Sequence, residues 1–470
     1  MATETVEASV GFRSERGAIL ISLMLATGLV ALDSTIIATA VLTITDDLGG
    51  FNQFPWLFSI YLLAQAVTVP IYGKIADTIG RKPVMLFGIA AFALGSLLCA
   101  VAPSMLALII FRAVQGIGAG AVAPTTMTIA GDLYTLTERA KVQGYIASVW
   151  AMSSVVGPLL GGLFAEYVSW RWIFWINLPL CAVAAWMLIR SFKEKAPRVS
   201  QQVDYLGAGL LTVGAGALIL GLLEGGQAWA WNSPVGIAIF AGGLAVLVLF
   251  GFVERRAVNP ILPLWVFTRQ VVIASSLVSL LIGAILIGLT SYVPTFTQGV
   301  LGTGALVAGL TVGALTLGWP LAASQAGKLY LRIGFRWTAL IGSGLATLGA
   351  ATTLLINERS TLLQVAGTCF VIGVGMGLVA TPTLIAAQAS AEWTERGVVT
   401  SANMFARSIG SAVGVAVFGA IVNSRIGGTD HPAPAALSSA VHLVFLTVAA
   451  MAVVMVVSAA MMPGRTADSA

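Results

Sequence analysis

The chain has 470 residues, of which 58% are hydrophobic and only 9% charged, and its mean hydropathy is +0.95. About a quarter of the residues of a soluble globular protein are charged, so this composition argues against a water-soluble fold. The net charge of +5 does not indicate nucleic-acid binding, because the basic residues are spread over short loops and form no continuous basic face.

Fourteen apolar stretches, numbered spans 1 to 14 in chain order, have the length of about 20 residues that crosses a bilayer. They cover residues 18–43, 55–72, 83–102, 106–130, 141–165, 171–190, 205–223, 235–252, 271–296, 304–326, 337–356, 363–388, 399–422 and 438–461. With both termini in the cytoplasm, nineteen of the 24 Lys and Arg residues lie in cytoplasmic segments. Membrane proteins show this bias, so the sequence predicts an even number of spans and two cytoplasmic termini.

The chain also repeats itself at long range. The stretch GKIADTIGRK at 73 has a counterpart in GKLYLRIGFR 254 residues later, and TERAKVQG at 137 has one in TERGVVTS 257 residues later. Such offsets predict two similar six-helix halves with spans 7 and 8 inserted between them. The predicted parts are a cytoplasmic tail (1–17), an N-terminal six-helix bundle (18–190), a cytoplasmic linker (191–204), two inserted spans (205–252), a cytoplasmic loop (253–270), a C-terminal six-helix bundle (271–461) and a cytoplasmic tail (462–470).

Two charged residues of the first half lie well inside spans, away from their ends. Asp33 is near the middle of span 1, where a carboxylate costs roughly 2.5 to 3.5 kcal/mol on insertion scales. Burial disfavours its charged form, so we predict that Asp33 takes up a proton on one side of the membrane and releases it on the other. Arg112 and Gln115 are three residues apart in span 4 and therefore share a helix face, which could form a polar track toward Asp33. Purely structural roles are the alternative for both charged residues.

Four charges are concentrated in GKIADTIGRK, between spans 2 and 3. Asp77 is predicted to pair with Arg81 at helical spacing, and Asp132 at the end of span 4 is a second possible partner of Arg81. An exposed pair contributes only about 0 to 1 kcal/mol, so one such contact is a weak latch. A network that forms in only one conformation would still bias a two-state equilibrium. The alternative is a loop whose charges only set topology.

In span 5, Pro158 removes a helix hydrogen bond, while Gly157 and Gly161 allow close approach of a neighbouring helix. The pattern predicts a gating bend or plain helix packing. The second half has no acidic residue at the centre of a span. Arg407 in span 13 is predicted either to serve its own half or to face a cavity and disfavour cationic cargo.

Several motifs, in the right order, resemble those of the 14-helix drug:proton antiporters of the major facilitator superfamily. They are LDSTIIATA at 32–40, GKIADTIGRK at 73–82, LIIFRAVQGIGAGAVAP at 108–124 and WRWIFWINLP at 170–179. In span 5, the antiporter glycine–proline signature is matched by Gly144, Gly157, Pro158, Gly161 and Gly162, with Ser153 where a glycine is expected. The resemblance covers nearly the whole chain and implies the major facilitator fold.

The resemblance also implies roles for individual residues. It implies that Asp33 and Arg112 couple transport to protons, and that a switch holds the outward-open state shut on the cytoplasmic side. The switch residues are Gly73, Asp77, Gly80, Arg81, Lys82 and Asp132. In the superfamily the cavity is lined by helices 1, 2, 4 and 5 and their counterparts, where aromatic and Met side chains give adaptable contacts. The candidate cargo contacts are Tyr61, Gln65, Gln115, Trp150, Met152, Tyr292, Phe296, Gln298, Asn403, Met404 and Arg407.

We therefore expect an all-α polytopic membrane protein, a monomer in the cell membrane, that exports amphiphilic drugs against inward proton flow, with antibiotic resistance as a consequence. Its partners would be the small-molecule cargo, protons and the lipid bilayer, with no cofactor, no metal and no nucleic acid. A transporter dedicated to one metabolite or lipid is the alternative. An enzyme is not expected, since the sequence has no phosphate loop, no HExxH motif and no nucleophile elbow.

Overall fold

The computed structural model describes residues 11–37, 40–49, 55–194, 204–226, 228–426 and 433–463. In these ranges the chain folds into sixteen α-helices, two 3-10 turns and a single isolated bridge. The helices are α1 (Gly17–Ile36), α2 (Val41–Leu48), α3 (Pro55–Ile79), α4 (Arg81–Ala100), α5 (Met105–Leu133), α6 (Leu136–Tyr167), α7 (Trp172–Trp175), α8 (Asn177–Ser191), α9 (Tyr205–Glu224), α10 (Pro234–Glu254), α11 (Gln270–Gly299), α12 (Ala305–Ile333), α13 (Phe335–Thr353), α14 (Leu362–Ala389), α15 (Arg396–Ile426) and α16 (Pro434–Ala460). The 3-10 turns are Leu264–Phe267 and Trp393–Glu395.

Thirteen candidate membrane spans, one of them formed by α7 and α8 together, are long and apolar enough to cross a membrane. The 19-residue helix α13 is outside that set, yet it packs against α14 and α16 and occupies the position predicted for span 11. The expected all-α polytopic fold is therefore confirmed. Most of the predicted tail 1–17, linker 191–204 and tail 462–470 lies outside the described residues.

Span 1 was expected to be one helix over 18–43, and this is wrong. Helix α1 ends at Ile36, and the short helix α2 begins at Val41. Helix α2 carries the exposed carboxylates Asp46 and Asp47, which favour water over lipid. Asp47 accepts hydrogen bonds from Arg171 (2.6 Å) and from the Trp170 indole (3.0 Å), and these bonds hold its pKa below the ordinary value of 3.8.

The helices form two bundles with separate apolar cores. In the first, α5 packs on α3 and α4, and α1 packs on α6 and α8. In the second, α12 and α13 pack on α14, and α11 packs on α15 and α16. Helices α9 and α10 pair with each other, and α9 also contacts α3 and α15, so the inserted pair bridges the two bundles. The bundles also touch directly, mainly where α3 meets α15 and α6 meets α12, with smaller contacts of α5 with α15 and of α6 with α14.

The internal repeat is visible in the backbone. Gly80 separates α3 from α4 with φ +106°, and Gly334, which is 254 residues later, separates α12 from α13 with φ +86°. Side-chain-bearing residues rarely adopt these positive values, so glycine is needed at both turns. The two helix pairs therefore share a connection as well as a sequence pattern.

All three cysteines, Cys99, Cys181 and Cys369, are buried and free. Cys99 belongs to the core around the end of α1, and Cys369 to the core of the second bundle. The three cysteines therefore serve as small core residues.

Candidate functional site

The buried carboxylate of α1 lies against two side chains of α5. The Nη1 atom of Arg112 lies 2.5 Å from Asp33 Oδ2, and Gln115 Nε2 donates to Asp33 Oδ1 at 2.7 Å. Arg112 Nη1 also donates to Gln115 Oε1 at 2.6 Å. None of the three residues is more than 1% exposed, so the expected polar track from α5 to Asp33 exists as a closed triangle.

Two further polar side chains complete this cluster from α4 and α8. Gln115 Nε2 donates to Ser96 Oγ at 2.8 Å, and Asn177 Nδ2 reaches both Asp33 Oδ1 and Ser96 Oγ at 3.3 Å. Neither Ser96 nor Asn177 was predicted from the sequence. Asn177 carried a usable signal, because a side-chain amide inside an apolar span needs a polar partner just as Asp33 does.

The guanidinium of Arg112 has partners on every side. Its Nε donates to the Leu57 carbonyl at 3.1 Å, and its Cζ lies 4.2 Å from the centroid of the Tyr61 ring. Removing one member of a buried ion pair costs about 3 to 5 kcal/mol, because the other charge stays buried. Tyr61 and Gln115 were candidate cargo contacts, but the structure places both in this cluster inside the first bundle.

A second ionic network joins the two bundles at the end of the molecule where α3 meets α4, which we call the Arg81 end. The carboxylate of Asp77 on α3 accepts the backbone N–H groups of Gly397 and Val398, each at 2.9 Å. These two groups belong to the first turn of α15, where N–H groups lack partners within the helix and the helix dipole favours a negative charge. An acid of one bundle thus caps a helix of the other.

Arg81 holds this capping acid in place. Its Nη2 lies 2.8 Å from Asp77 Oδ1, its Nε lies 3.0 Å from Asp132 Oδ2, and its Cζ lies 3.5 Å from the centroid of the Trp393 ring. The expectation of an exposed, weak pair is wrong, because Arg81 is 1% exposed and Asp77 4%. The burial comes from the second bundle, whose Trp393 covers the guanidinium.

Asp132 extends the network across the same boundary, because its Oδ1 lies 3.0 Å from Arg396 Nη1 of α15. Two glycines allow the close approach of α3 and α15. A Cβ at Gly73 would overlap the side chain of Ser401, and a Cβ at Gly397 would overlap the carbonyl oxygen of Gly73. The contact between these helices is therefore made nearly backbone to backbone.

The other two predicted switch residues act within the first bundle. The backbone N–H groups next to Gly80, those of Arg81 and Lys82, donate to Glu194 at 2.7 and 3.2 Å. Lys82 Nζ donates to the carbonyl of Phe192 at 2.6 Å. Gly80 and Lys82 therefore tie the start of α4 to the segment after α8, within the first bundle.

The glycine–proline pattern lies on α6, which continues as a helix past residue 158. Gly144 packs against Ser324 of α12, and Gly157 packs against Thr35 of α1. Thr35 Oγ1 also donates to the carbonyl of Ser153 at 2.9 Å. Gly161 lies in the same helix, and the space beside Gly162 is open. Helix α6 thus contacts the Asp33 helix on one side and the second bundle on the other.

The remaining cargo candidates divide by exposure. Phe296 and Asn403 are 1% and 2% exposed, with Phe296 packed on Phe445 and Asn403 accepting a hydrogen bond from Ser279, so both lie in the core of the second bundle rather than on an open surface. Tyr292 packs edge-on against Phe418. Met152 and Gln298 are exposed, and Met152 lines a lateral groove between α6 and α12. The other four candidates are exposed or partly exposed and lie outside that groove: Gln65, Trp150, Met404 and Arg407.

These features define a class. The chain is a multi-pass helical membrane protein of two related bundles, with a buried acid–base cluster in one bundle and an ionic network between the bundles at one end. The sequence profile of the Major Facilitator Superfamily matches residues 23–415, so the chain belongs to this superfamily. It is a transporter and not an enzyme.

Curated relatives cover most of the chain. The multidrug transporter protein MdtP of Bacillus subtilis is 35% identical over 428 residues, which is 90% of this chain and 79% of that protein. Multidrug resistance protein 3 of the same organism is 36% identical, over 86% of this chain and 79% of its own length. The efflux pump dotC of Dothistroma septosporum is 31% identical, over 84% of this chain and 70% of its own.

Solved structures share the fold. The human organic anion transporter MFSD10 aligns with a TM-score of 0.67 over 95% of this chain and 99% of its own, at 15% identity. A bacterial homologue of the iron transporter ferroportin, solved in an outward-facing state, aligns with a TM-score of 0.63 over 94% of this chain and 98% of its own, at 14% identity. At these identities the likeness is one of fold.

Proposed function

We propose that the protein is a proton-coupled antiporter of the cell membrane that exports amphiphilic small molecules by alternating access. The names of the relatives, which are multidrug transporters and efflux pumps, support export of varied compounds. The observation that carries the proton coupling is the buried pair of Asp33 and Arg112. A sealed carboxylate whose partners all lie in one bundle can change its charge only together with the packing of that bundle.

The proton acts on the contact between α1 and α5. A proton on Asp33 removes the negative charge that holds Arg112 Nη1 at 2.5 Å. Arg112 then keeps the Leu57 carbonyl and the Tyr61 ring, both of which belong to α3. Protonation thus weakens the attachment of α1 to α5 while α5 stays attached to α3.

Movement of α1 reaches the second bundle through α6. Thr35 of α1 packs against Gly157 and donates to the Ser153 carbonyl of α6. On its other side, α6 meets α12, where Ser154 Oγ and Thr316 Oγ1 are 3.3 Å apart. This chain of contacts is the proposed route from the proton site to the boundary between the bundles.

We further propose that the Arg81 end faces the cytoplasm, with both termini on that side and the protein acting as a monomer. The excess of Lys and Arg in the predicted cytoplasmic loops supports this orientation. In that case the structure is the state closed to the cytoplasm, and the Asp77 network must break before cargo can enter. A membrane potential of 100 mV provides about 2.3 kcal/mol for each proton that moves inward.

The test is cargo-driven proton movement in proteoliposomes, with the wild type beside Asp33→Asn. We expect the variant to bind cargo but to lose coupled flux, because an amide cannot carry the proton. Asp47→Asn is the matched control, since Asp47 is an exposed carboxylate at the end of α2 and should leave coupling intact. Unchanged flux in Asp33→Asn would remove this carboxylate from the mechanism. Export of only one compound from a broad panel of dyes and antibiotics would instead indicate a dedicated transporter.

A further inference from the structure

Arg407 is a second cation in the middle of a spanning helix, eleven residues after α15 begins at Arg396. Among the described residues it has no carboxylate within ion-pair distance, and its Nε is buried without a hydrogen-bond acceptor. Its guanidinium lies beside the ring of Trp319 on α12, whose centroid is 5.7 Å from Cζ.

Arg112 shows what a satisfied guanidinium needs at this depth. It has a carboxylate, a side-chain amide, a backbone carbonyl and an aromatic ring, whereas Arg407 has only the ring. The second half of the chain offers no replacement. From position 271 onward the acidic residues are Glu358, Glu392, Glu395, Asp430 and Asp468, and none lies within a predicted span. An unpaired guanidinium inside a membrane protein is costly and needs an anion, a carbonyl or water.

The position of Trp319 shows which way this cation faces. Leu310, Leu317 and Leu321 are each more than half exposed and mark the outer surface of α12. At 100° per residue, Trp319 lies 180° to 200° round the helix from all three. Its ring, with Arg407 beside it, therefore points away from that surface into the interior of the protein, where it packs against the core of the second bundle. Arg407 is partly exposed, so its side chain is not sealed from solvent as that of Arg112 is.

We propose that Arg407 and Trp319 form a cargo subsite for an anionic group, a carboxylate in particular, so that the exported compounds include amphiphilic acids. This inference rests on the proposed transport function and names the class of its cargo. The planar fork of a guanidinium matches a carboxylate with two parallel hydrogen bonds, and the Trp319 ring gives an apolar surface to the adjoining part of the ligand. The cargo supplies the acceptor that the protein lacks.

An anionic cargo changes the energetics of exchange. Export of a monovalent anion together with entry of one proton moves two positive charges inward. The membrane potential then acts on both movements, whereas export of a monovalent cation would cancel the charge of the proton. The same voltage therefore drives an acid out more strongly than an amine of equal size.

The test measures binding to the purified full-length protein, without a proton gradient. The probes are a naphthalene-bearing alkyl carboxylate, its primary amide and the corresponding amine. Binding of each probe is measured by the quenching of tryptophan fluorescence. We expect the wild type to bind the carboxylate at least about tenfold more tightly than the amide. Arg407→Gln should abolish this difference by weakening the carboxylate far more than the amide, and Arg407→Lys should keep part of it, since the charge remains without the fork.

Arg425→Gln is the matched control, because Arg425 lies on the same helix and is exposed at its end. This variant should bind like the wild type. Equal affinity of the wild type for acid and amide would overturn the proposal. So would equal weakening of all three probes by both Arg407 variants, since a structural role would act on every probe alike. If Asp33→Asn loses coupled flux but the wild type shows no preference for acids, the proposal of proton-coupled antiport stands and only the anion subsite is overturned.

Discussion

The two boundaries that join the bundles at the Arg81 end are related by the internal repeat but are built from different chemistry. Between α3 and α15, Asp77 accepts the N–H groups of Gly397 and Val398, and Arg81 lies buried beside it. Between α6 and α12 the contacts are made by small residues and one phenol. Gly144 packs on Ser324, Gly327 packs on Ala140, and the Tyr330 hydroxyl donates to the Leu136 carbonyl.

The repeat shows why the ion pairs are at the boundary between α3 and α15. At the offset of 254 residues, Leu331 stands where Asp77 would be and Phe335 where Arg81 would be. Among the described residues no ion pair crosses from α6 to α12, so this boundary can slide or tilt without separating opposite charges, whereas opening of the other boundary exposes the buried pair of Asp77 and Arg81 to water. We therefore expect α6 and α12 to serve as the pivot and α3 and α15 to serve as the latch. The following predictions test this division.

The largest effect is expected from Gly397→Val. The new side chain would overlap the Gly73 carbonyl oxygen and lie within 2.6 Å of Asp77 Oδ1, so α3 and α15 cannot reach their present separation. The latch should stay open, with distances between spin labels at positions 79 and 392 shifted to longer values in nearly all molecules. Gly419→Val is the matched control on the same helix, because the space beside Gly419 is open. Unchanged distances in Gly397→Val would mean that the latch does not need this close approach.

A smaller but still large effect is expected from Asp77→Asn. The amide weakens both bonds to the α15 N-terminus and leaves Arg81 buried with less counter-charge, which costs about 3 kcal/mol or more. The closed population should fall by about 100-fold relative to the open one, since each 1.4 kcal/mol is a factor of ten. The same label pair measures this.

Asp204→Asn is its control, because Asp204 caps α9 by accepting the Gly207 N–H at 2.9 Å and makes no ion pair between the bundles. It should leave the distances unchanged. If Asp204→Asn opened the latch as much as Asp77→Asn, the effect would be one of general stability.

The smallest effect is expected from Leu331→Asp, which puts the missing acid at the pivot. Position 331 is exposed, and the residues of α6 that correspond to Gly397 and Val398 are 140 and 141. Helix α6 begins at Leu136, so the N–H groups of 140 and 141 are already used within the helix. The substitution should therefore change the free-energy difference between the closed and open states by no more than about 0.5 kcal/mol. A clear stabilisation of the closed state would show that a carboxylate at this boundary holds the bundles together even without unpaired N–H groups at a helix N-terminus.

Much of the fold follows from the sequence. Membrane spans are recognised by their length and apolar composition, and the internal repeat is recognised by two similar pairs of motifs at nearly equal offsets. Asp33, Arg112 and the charged loop also stand out, since charge is rare in such a chain. The break after α1 was missed because 37–43 is apolar, and only the exposed carboxylates of α2 explain it.

The partners of Asp77 were missed for a different reason. They are backbone N–H groups about 320 residues away, and a backbone group has no signature of its own in the sequence. The burial of Arg81 under Trp393 likewise depends on how the second bundle meets the first. Tyr61 was assigned to the cavity because an aromatic residue in a span suits a cargo site and a core equally well. Its role beside Arg112 needed the packing of α3 on α5.

Cys99 gives the protein a native chemical reporter. Its thiol is fully covered and lies near Asp33 and Arg112, so a small water-soluble maleimide should not reach it in the state described. If turnover admits water to the acid to exchange its proton, the alkylation rate of this thiol should rise in step with transport. Each exposure of the carboxylate could then be timed in the unmodified chain, without an engineered label.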